Sequence, residues 1–284
     1  MNKKEEIKLL QIPNLFLRSK LILRGYFSGI HPVPYKGSSS EFSQYREYVA
    51  GDDFNRIDWK AYLKSSKYYV KESDDETNAE MVLLLDTSAS MGFFYKFEYS
   101  KTLAFLFSYI CAKQNDSFSY GLFSDKLHVF KRAGAGKKSI YEACRDINSS
   151  SVSGETKMIP ALEKVFEKTK EPSFIVLITD MGDDENEIID SMAGMRVKKN
   201  DAIIFHISSR KEESRDILDN DSLMDMETKL SSVGGRYAER LKIIKERNKR
   251  IRENCLMKSI DYNAIYIEDG FDDPLSVFFR RRLS

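Results

Sequence analysis

Short apolar runs alternate with helical patterns along most of the chain after residue 78. The run from Met81 to Asp86 is continuous and apolar except for its last residue, which is typical of a strand buried on both faces of a sheet. Residues 96–114 then carry apolar side chains over a helical length. A second buried strand is predicted from Phe174 to Thr179, directly before Asp180.

The same patterns predict a complete series of elements. In order, they are a strand at 81–86, a helix at 96–114, strands at 118–123 and 127–130, helices at 138–148 and 159–169, a strand at 174–179, a helix near 185–198, a strand at 202–207, a long charged helix at 236–257, a strand at 264–267 and a final short helix. Because helices separate most of the strands, we expect an α/β fold with a doubly wound, mostly parallel sheet. Residues 1–78, an irregular segment rich in aromatic and charged residues, form an N-terminal extension, and residues 79–284 form the α/β domain.

Composition narrows the class of protein. The 45 basic and 44 acidic residues leave a formal net charge of +1, without the basic excess of a general nucleic-acid or anionic-membrane binder. The three cysteines are far apart and form no CxxC pair, which favours free thiols in a reducing compartment. No apolar stretch approaches the ~20 residues needed to span a bilayer. We therefore expect a soluble cytoplasmic protein.

Polar side chains follow both buried strands. Asp86, Ser88 and Ser90 alternate in the loop after the first strand, and Asp180 follows the second. Ligands of open α/β sheets bind at the carboxyl ends of the strands, and carboxylate and hydroxyl oxygens suit Mg²⁺. Thr156, in a loop before a helix, is a further candidate ligand. The alternative interpretation is a polar loop in which Ser88 or Ser90 caps a helix.

This pattern resembles the metal-ion-dependent adhesion site of von Willebrand factor A domains. That motif consists of Asp-x-Ser-x-Ser, a later Thr and a later Asp, and its elements occur here in order across residues 79–270. The resemblance implies a metal site made by Asp86, Ser88, Ser90, Thr156 and Asp180. It further implies Mg²⁺ (or Mn²⁺) as the ion, with an acidic residue of a protein partner completing the metal shell.

A second resemblance lies in the extension. The stretch Tyr45–Lys60, which reads YREYVAGDDFNRIDWK, is similar to the signature of a bacterial family known as "domain of unknown function" number fifty-eight. That family joins the signature to a von Willebrand A-like domain. The resemblance implies an association with MoxR-type AAA+ ATPases and a chaperone-like role in maturation of other proteins.

The charged and aromatic side chains of the signature permit two interpretations. They form either an ion-pair and aromatic network that holds the extension on the domain or a surface for a partner. The residues concerned are Arg46, Asp52, Arg56, Asp58 and Trp59.

Two functional hypotheses follow. The first is a non-enzymatic adaptor whose metal binds an acidic side chain of an AAA+ ATPase or its client. The alternative is a Mg-dependent hydrolase that uses the same ion to activate water. The second lacks an obvious general base, because no histidine falls in the predicted site loops, although Glu155 is a candidate. Aspartyl-phosphate chemistry is disfavoured, since Ser88 stands where a second acid is required.

Overall fold

The computed structural model describes residues 3–28, 42–47, 69–73, 80–114, 116–134, 136–154, 157–169, 172–182, 185–196, 200–211 and 226–283. The chain forms two compact units, one made of residues 1–32 and 79–284 and the other of residues 33–78. The domain boundary placed after residue 78 stays a prediction; in the structure, the first 32 residues group with the α/β part of the chain.

The described residues form helices and strands with the following bounds. The helices are α1 (Lys3–Leu9), α2 (Leu15–Ser28), α3 (Lys96–Lys113), α4 (Lys137–Ser149), α5 (Ile159–Lys168), α6 (Glu185–Arg196), α7 (Met226–Met257) and α8 (Asp272–Leu283). The strands are β1 (Phe42–Glu47), β2 (Tyr69–Ser73), β3 (Glu80–Asp86), β4 (Phe118–Phe123), β5 (Leu127–Ala133), β6 (Ser173–Thr179), β7 (Asp201–Ser208) and β8 (Asp261–Tyr266). Short 3₁₀ helices span Ala89–Gly92 and Ile267–Asp269.

The larger unit is built on a six-stranded sheet with the order β5-β4-β3-β6-β7-β8. All neighbouring strands are parallel except the hairpin of β4 and β5, which is antiparallel. From β3 the chain continues to β4 on one side and later returns to β6 on the other. The strand order therefore reverses between β3 and β6, which is where doubly wound sheets form their ligand sites.

Helix α3 lies within the core rather than at its surface. Almost every residue of this helix is buried, because it packs on the sheet and is covered on its other side by α2 and α4. Phe16 of α2 lies 6.0 Å from Phe105 of α3 between ring centroids. Arg18 of α2 donates a hydrogen bond of 2.7 Å to Glu98 of α3. These contacts attach the first helices of the chain to the α/β core.

The predicted α/β architecture and the order of its elements are confirmed. Three element boundaries differ from expectation by three residues or more: β5 ends at Ala133 rather than at residue 130, α7 begins at Met226, ten residues early, and β8 begins at Asp261 rather than at residue 264. The polar start of β8 is tolerated because it is an edge strand whose first residues are only partly buried.

The expectation of an irregular segment before residue 78 was wrong. It contains α1 and α2 as well as an antiparallel pair, β1 and β2, in which Arg46 lies opposite Val70. The apolar pattern of α2 is interrupted by Arg18, which is nevertheless 1% exposed because it is paired with Glu98 and with the carbonyl groups of Leu10 and Ile12.

Candidate metal centre

The carboxyl ends of β3 and β6 bring the predicted site residues of two loops together. These strands are parallel neighbours, with Leu85 opposite Ile178. Asp86, the last residue of β3, and Asp180, which follows β6, therefore lie side by side at the point where the strand order reverses. The structure thus places both predicted carboxylates at one edge of the sheet.

Asp86 is fully buried, and both of its carboxylate oxygens accept hydrogen bonds. Oδ1 accepts from the backbone N–H of Ser88 at 2.8 Å, and Oδ2 accepts from the hydroxyl of Thr179 at 2.7 Å. Burial, followed by the negative charge of Asp180, raises the pKa of Asp86 from 3.8 to about 6, while the hydrogen bonds from Ser88 and Thr179 act in the opposite direction. A nearby cation would relieve this electrostatic cost.

Three of the predicted ligands form a hydrogen-bonded chain beside Asp86. The hydroxyl oxygens of Ser88 and Ser90 are 3.0 Å apart, and Ser90 donates to Oδ1 of Asp180 at 3.2 Å. Ser88 precedes the 3₁₀ helix Ala89–Gly92 but makes no side-chain capping bond to it. No capping bond therefore supports the capping interpretation of Ser88, and its role as a metal ligand stays a prediction.

Lys96 belongs to the same cluster, although sequence reasoning missed it. Its ammonium nitrogen lies 2.9 Å from Oδ2 of Asp180, and the two side chains are 3% and 8% exposed, respectively. The position of Lys96 in the first turn of a helix, where the dipole disfavours a cation, is unusual, but the sequence alone does not show that the side chain is buried. Thr179 was also missed as a site residue, and its signal is its position as the last residue of the buried strand, directly before Asp180.

The loop that leads to Thr156 is attached to the Asp86 loop. The N–H of Ala89 donates to the carbonyl of Gly154 at 3.2 Å, and the N–H of Ser153 donates to the carbonyl of Thr87 at 2.8 Å. Thr156 and the candidate base Glu155 lie outside the described residues. The role of Thr156 as a ligand therefore stays a prediction.

The signature residues of the extension are largely beyond what the structure describes. Asp52, Arg56, Asp58 and Trp59 lie outside the described residues, and Arg46 is described only as a backbone position of β1. Both interpretations of the signature stay predictions.

A buried histidine lies behind Asp180. His206 on β7 is 2.6 Å from the hydroxyl of Tyr262 through Nδ1 and forms a hydrogen bond with the backbone of Asp180. Burial, with a smaller contribution from the charge of Arg247, lowers the pKa of His206 from 6.5 to about 4. His206 is therefore a neutral side chain of the core.

The residues present fit a hard divalent cation. In the described part of the chain, no group of three or more His, Cys, Asp and Glu side chains is close enough to hold a metal, as a zinc site would require. The cluster instead offers the carboxylates of Asp86 and Asp180 and the hydroxyls of Ser88 and Ser90. Oxygen ligands of this kind suit Mg²⁺ or Mn²⁺, and Mg²⁺ needs few of them because it retains water.

Comparisons with solved structures find several distant similarities. The conserved hypothetical protein BatB from Bacteroides thetaiotaomicron is 14% identical over 72% of this chain and 98% of its own, with a TM-score of 0.47. An aerotolerance-related membrane protein from Bacteroides fragilis NCTC 9343 is 13% identical over 72% of this chain and 99% of its own, with a TM-score of 0.45.

A von Willebrand factor type A protein from Catenulispora acidiphila is 18% identical over 46% of this chain and 33% of its own, with a TM-score of 0.36. No curated protein matches the chain. Among the helices within the described ranges, none combines the length and the apolar character required to cross a membrane.

A family match covers most of the chain. The sequence profile described as "Protein of unknown function DUF58" matches residues 44–250, a range that includes the signature stretch and the loops carrying Asp86 and Asp180. The family predicted from these motifs is confirmed: the chain belongs to the DUF58 family.

Proposed function

We propose that this protein is a metal-dependent interaction module that acts as an adaptor or chaperone-like factor for other proteins. The observation that carries the proposal is the cluster at the sheet edge, where the buried Asp86 lies next to the hydrogen-bonded chain of Ser88, Ser90 and Asp180. The chain belongs to a family whose signature is combined with a von Willebrand A-like domain, and this supports a role in protein interaction.

The metal in this proposal is Mg²⁺ (or Mn²⁺). Ser88, Ser90 and Asp180 would hold it, with Thr156 as a further ligand. Both oxygens of Asp86 already accept hydrogen bonds, so this residue supplies negative charge, directly or through water. The bound ion would offer a vacant position to a carboxylate of the partner, and an acidic side chain is therefore the chemistry that the partner must present.

The surface beside the cluster supports binding of a protein. Phe93 and Tyr95, which follow the site loop, are 51% and 53% exposed. Aromatic side chains are frequent anchors of protein interfaces. The partner that the family resemblance implies is a MoxR-type AAA+ ATPase or its client.

A binding role fits the described site better than hydrolysis does. His206 lies against the backbone of Asp180, but it is buried and its Nδ1 is engaged by Tyr262. A general base must reach the water that it activates, and His206 is not placed to do so. We therefore propose a non-enzymatic protein. Glu155, the candidate base of the hydrolase alternative, lies outside the described residues, and no contact among the described site residues favours that alternative.

We also propose a cytoplasmic location. Cys111, Cys144 and Cys255 form no disulfide with one another, as expected in a reducing compartment. Separation of cells into cytoplasmic and membrane fractions, followed by immunodetection, tests this. Recovery in the membrane pellet after a salt wash would contradict the proposal.

The test is partner capture on the immobilised protein from native lysate. The proteins captured by wild type in Mg²⁺ are compared with those captured by wild type in EDTA and by the variant Asp86→Asn in Mg²⁺. This substitution removes a charge and preserves the shape of the side chain. We expect an AAA+ ATPase or its client to be retained by wild type in Mg²⁺ alone. The matched control is Asp190→Asn, which removes an exposed carboxylate on α6 and should leave capture unchanged.

Two results would contradict the proposal. Identical partner profiles in Mg²⁺ and EDTA would show that the ion is not the recognition element. Release of phosphate from a phosphoester by wild type, lost in Ser88→Ala and kept in the exposed-serine control Ser149→Ala, would favour the hydrolase instead.

A further inference from the structure

Lys96 occupies an unusual position for a lysine. It is the first residue of α3, where the helix dipole disfavours a cation. Its side chain is almost completely buried, although lysine is rarely buried unless it is paired. Both features are unfavourable by themselves, so the ion pair with Asp180 must offset them.

The partner of this lysine is the carboxylate on which the candidate metal depends. Oδ1 of Asp180 accepts hydrogen bonds from Ser90 at 3.2 Å and from the N–H of Gly182 at 3.4 Å. Oδ2 accepts from the ammonium of Lys96 at 2.9 Å. The fully buried carboxylate of Asp86 lies beside them, close enough for the two negative charges to repel each other. Lys96 thus supplies positive charge at the place where a divalent cation would.

The backbone before Lys96 is strained. Phe94 and Tyr95 have φ angles of +48° and +65°, in the left-handed region that residues with a Cβ rarely adopt. Tyr95 is the N-cap of α3 and makes no side-chain capping bond. Such a turn persists only where its surroundings hold it, and the ion pair of Lys96 with Asp180 lies directly after it in the chain.

We infer that Lys96 is a built-in counter-cation that competes with the divalent metal for Asp180. In the metal-free protein the ammonium neutralises Asp180, and when a metal binds, the ammonium leaves Oδ2 because two cations on one carboxylate repel each other. The inference rests on the proposed metal function and deepens it, since it makes Lys96 a determinant of metal affinity. Metal binding would then change the contacts beside the strained turn formed by Phe94 and Tyr95.

The first test measures Mn²⁺ affinity by isothermal titration calorimetry on the full chain. Lys96→Met keeps the length and apolar stem of the side chain and removes its charge, so we expect the dissociation constant to fall by at least about tenfold. The control is Lys101→Met, a second buried lysine of α3 that pairs with Glu98, and its affinity should stay within about twofold of wild type. Lys96→Arg retains the charge and should show no gain.

The second test needs no substitution. Wild-type protein is acetylated with an amine-reactive ester in EDTA and in saturating Mn²⁺, and the modification of each lysine is read by mass spectrometry. We expect Lys96 to be protected in EDTA and to react several-fold faster with Mn²⁺ bound, while Lys101 reacts equally in both conditions.

The outcomes separate the two proposals. Equal or weaker Mn²⁺ binding by Lys96→Met, beside a wild type that binds, would overturn the inference and leave the metal site standing. Unchanged acetylation of Lys96 at full Mn²⁺ occupancy would do the same. Absence of Mn²⁺ binding in every folded variant would overturn both the inference and the metal-dependent function.

Discussion

Replacing Asp86 with Asn should stabilise the metal-free protein at neutral pH. The change removes a buried negative charge while it keeps the shape of the side chain. The amide oxygen can still accept the N–H of Ser88, and the amide nitrogen can donate to the hydroxyl of Thr179, which already accepts from the N–H of Met181 at 3.0 Å. The hydrogen-bond network therefore survives the substitution in a modified form.

The magnitude follows from the pKa of Asp86. A value of about 6 in the folded protein against 3.8 for a solvated aspartate corresponds to about 3 kcal/mol of free energy of unfolding. Well below pH 3.8 the carboxyl is protonated in both states and carries no cost. Between pH 3.8 and 6 the unfolded chain loses its proton first, so Asp86 increasingly destabilises the folded protein as the pH rises, and above about pH 7 this cost is complete.

The assay is urea unfolding in EDTA, followed by far-ultraviolet circular dichroism from pH 4 to 7.5. We expect the free energy of unfolding of Asp86→Asn, relative to wild type, to increase by about 2–3 kcal/mol across this range. The exposed control Asp190→Asn should change by less than about 1 kcal/mol. A difference between Asp86→Asn and wild type that does not vary with pH would refute the reasoning.

Three further outcomes can be measured in the same way. His206 has a pKa of about 4 when folded and 6.5 when solvated, so its own contribution to the free energy of unfolding should fall by about 3 kcal/mol as the pH falls from 6.5 to 4, opposite in sign to that of Asp86. The stability of wild type relative to His206→Gln should therefore fall by about that amount over this range, and a difference that does not vary with pH would contradict this. Thr179→Val removes the hydroxyl that donates to Asp86 and should cost about 1–3 kcal/mol at pH 7, whereas a Thr179→Ser variant as unstable as Thr179→Val would disprove the role of the hydroxyl. Gly154→Ala should be more destabilising than Gly136→Ala, because both have positive φ but only at Gly154 would a Cβ meet side-chain oxygens, at 2.8 and 2.9 Å; the reverse order in thermal unfolding would contradict the clash.

The central strands of the sheet were predictable because a strand buried on both faces consists almost entirely of apolar residues. β3 and β6 are continuous apolar runs, and each is buried along most of its length. The N-terminal helices were not predictable by the same rule. Arg18 in α2 interrupts the apolar pattern, and only tertiary contacts with Glu98 and with backbone carbonyl groups make its burial acceptable.

Some residues of the candidate site could likewise be predicted from the sequence, and others could not. Asp86 and Asp180 were predictable because their position depends only on where two buried strands end. The contribution of Lys96 was not, because a lysine near the start of a helix appears in the sequence as a solvated residue. Its burial against Asp180 depends on how α3 is placed over the sheet, and that placement is set by side chains far away in the sequence.

The contacts of the first helices have a consequence for synthesis of the chain. Glu6 on α1 is buried and accepts the N–H of Phe271, 265 residues later, and Tyr26 on α2 stacks on Phe279 of α8. At ribosomal rates of about 5–20 residues per second, α1 emerges roughly 15–50 s before Phe271 and the 3₁₀ helix that it contacts. During that interval its polar and apolar faces lack their native partners. The hydrogen bond of Glu6 with Phe271 and the stacking of Tyr26 on Phe279 therefore form only after almost the whole chain has been synthesised.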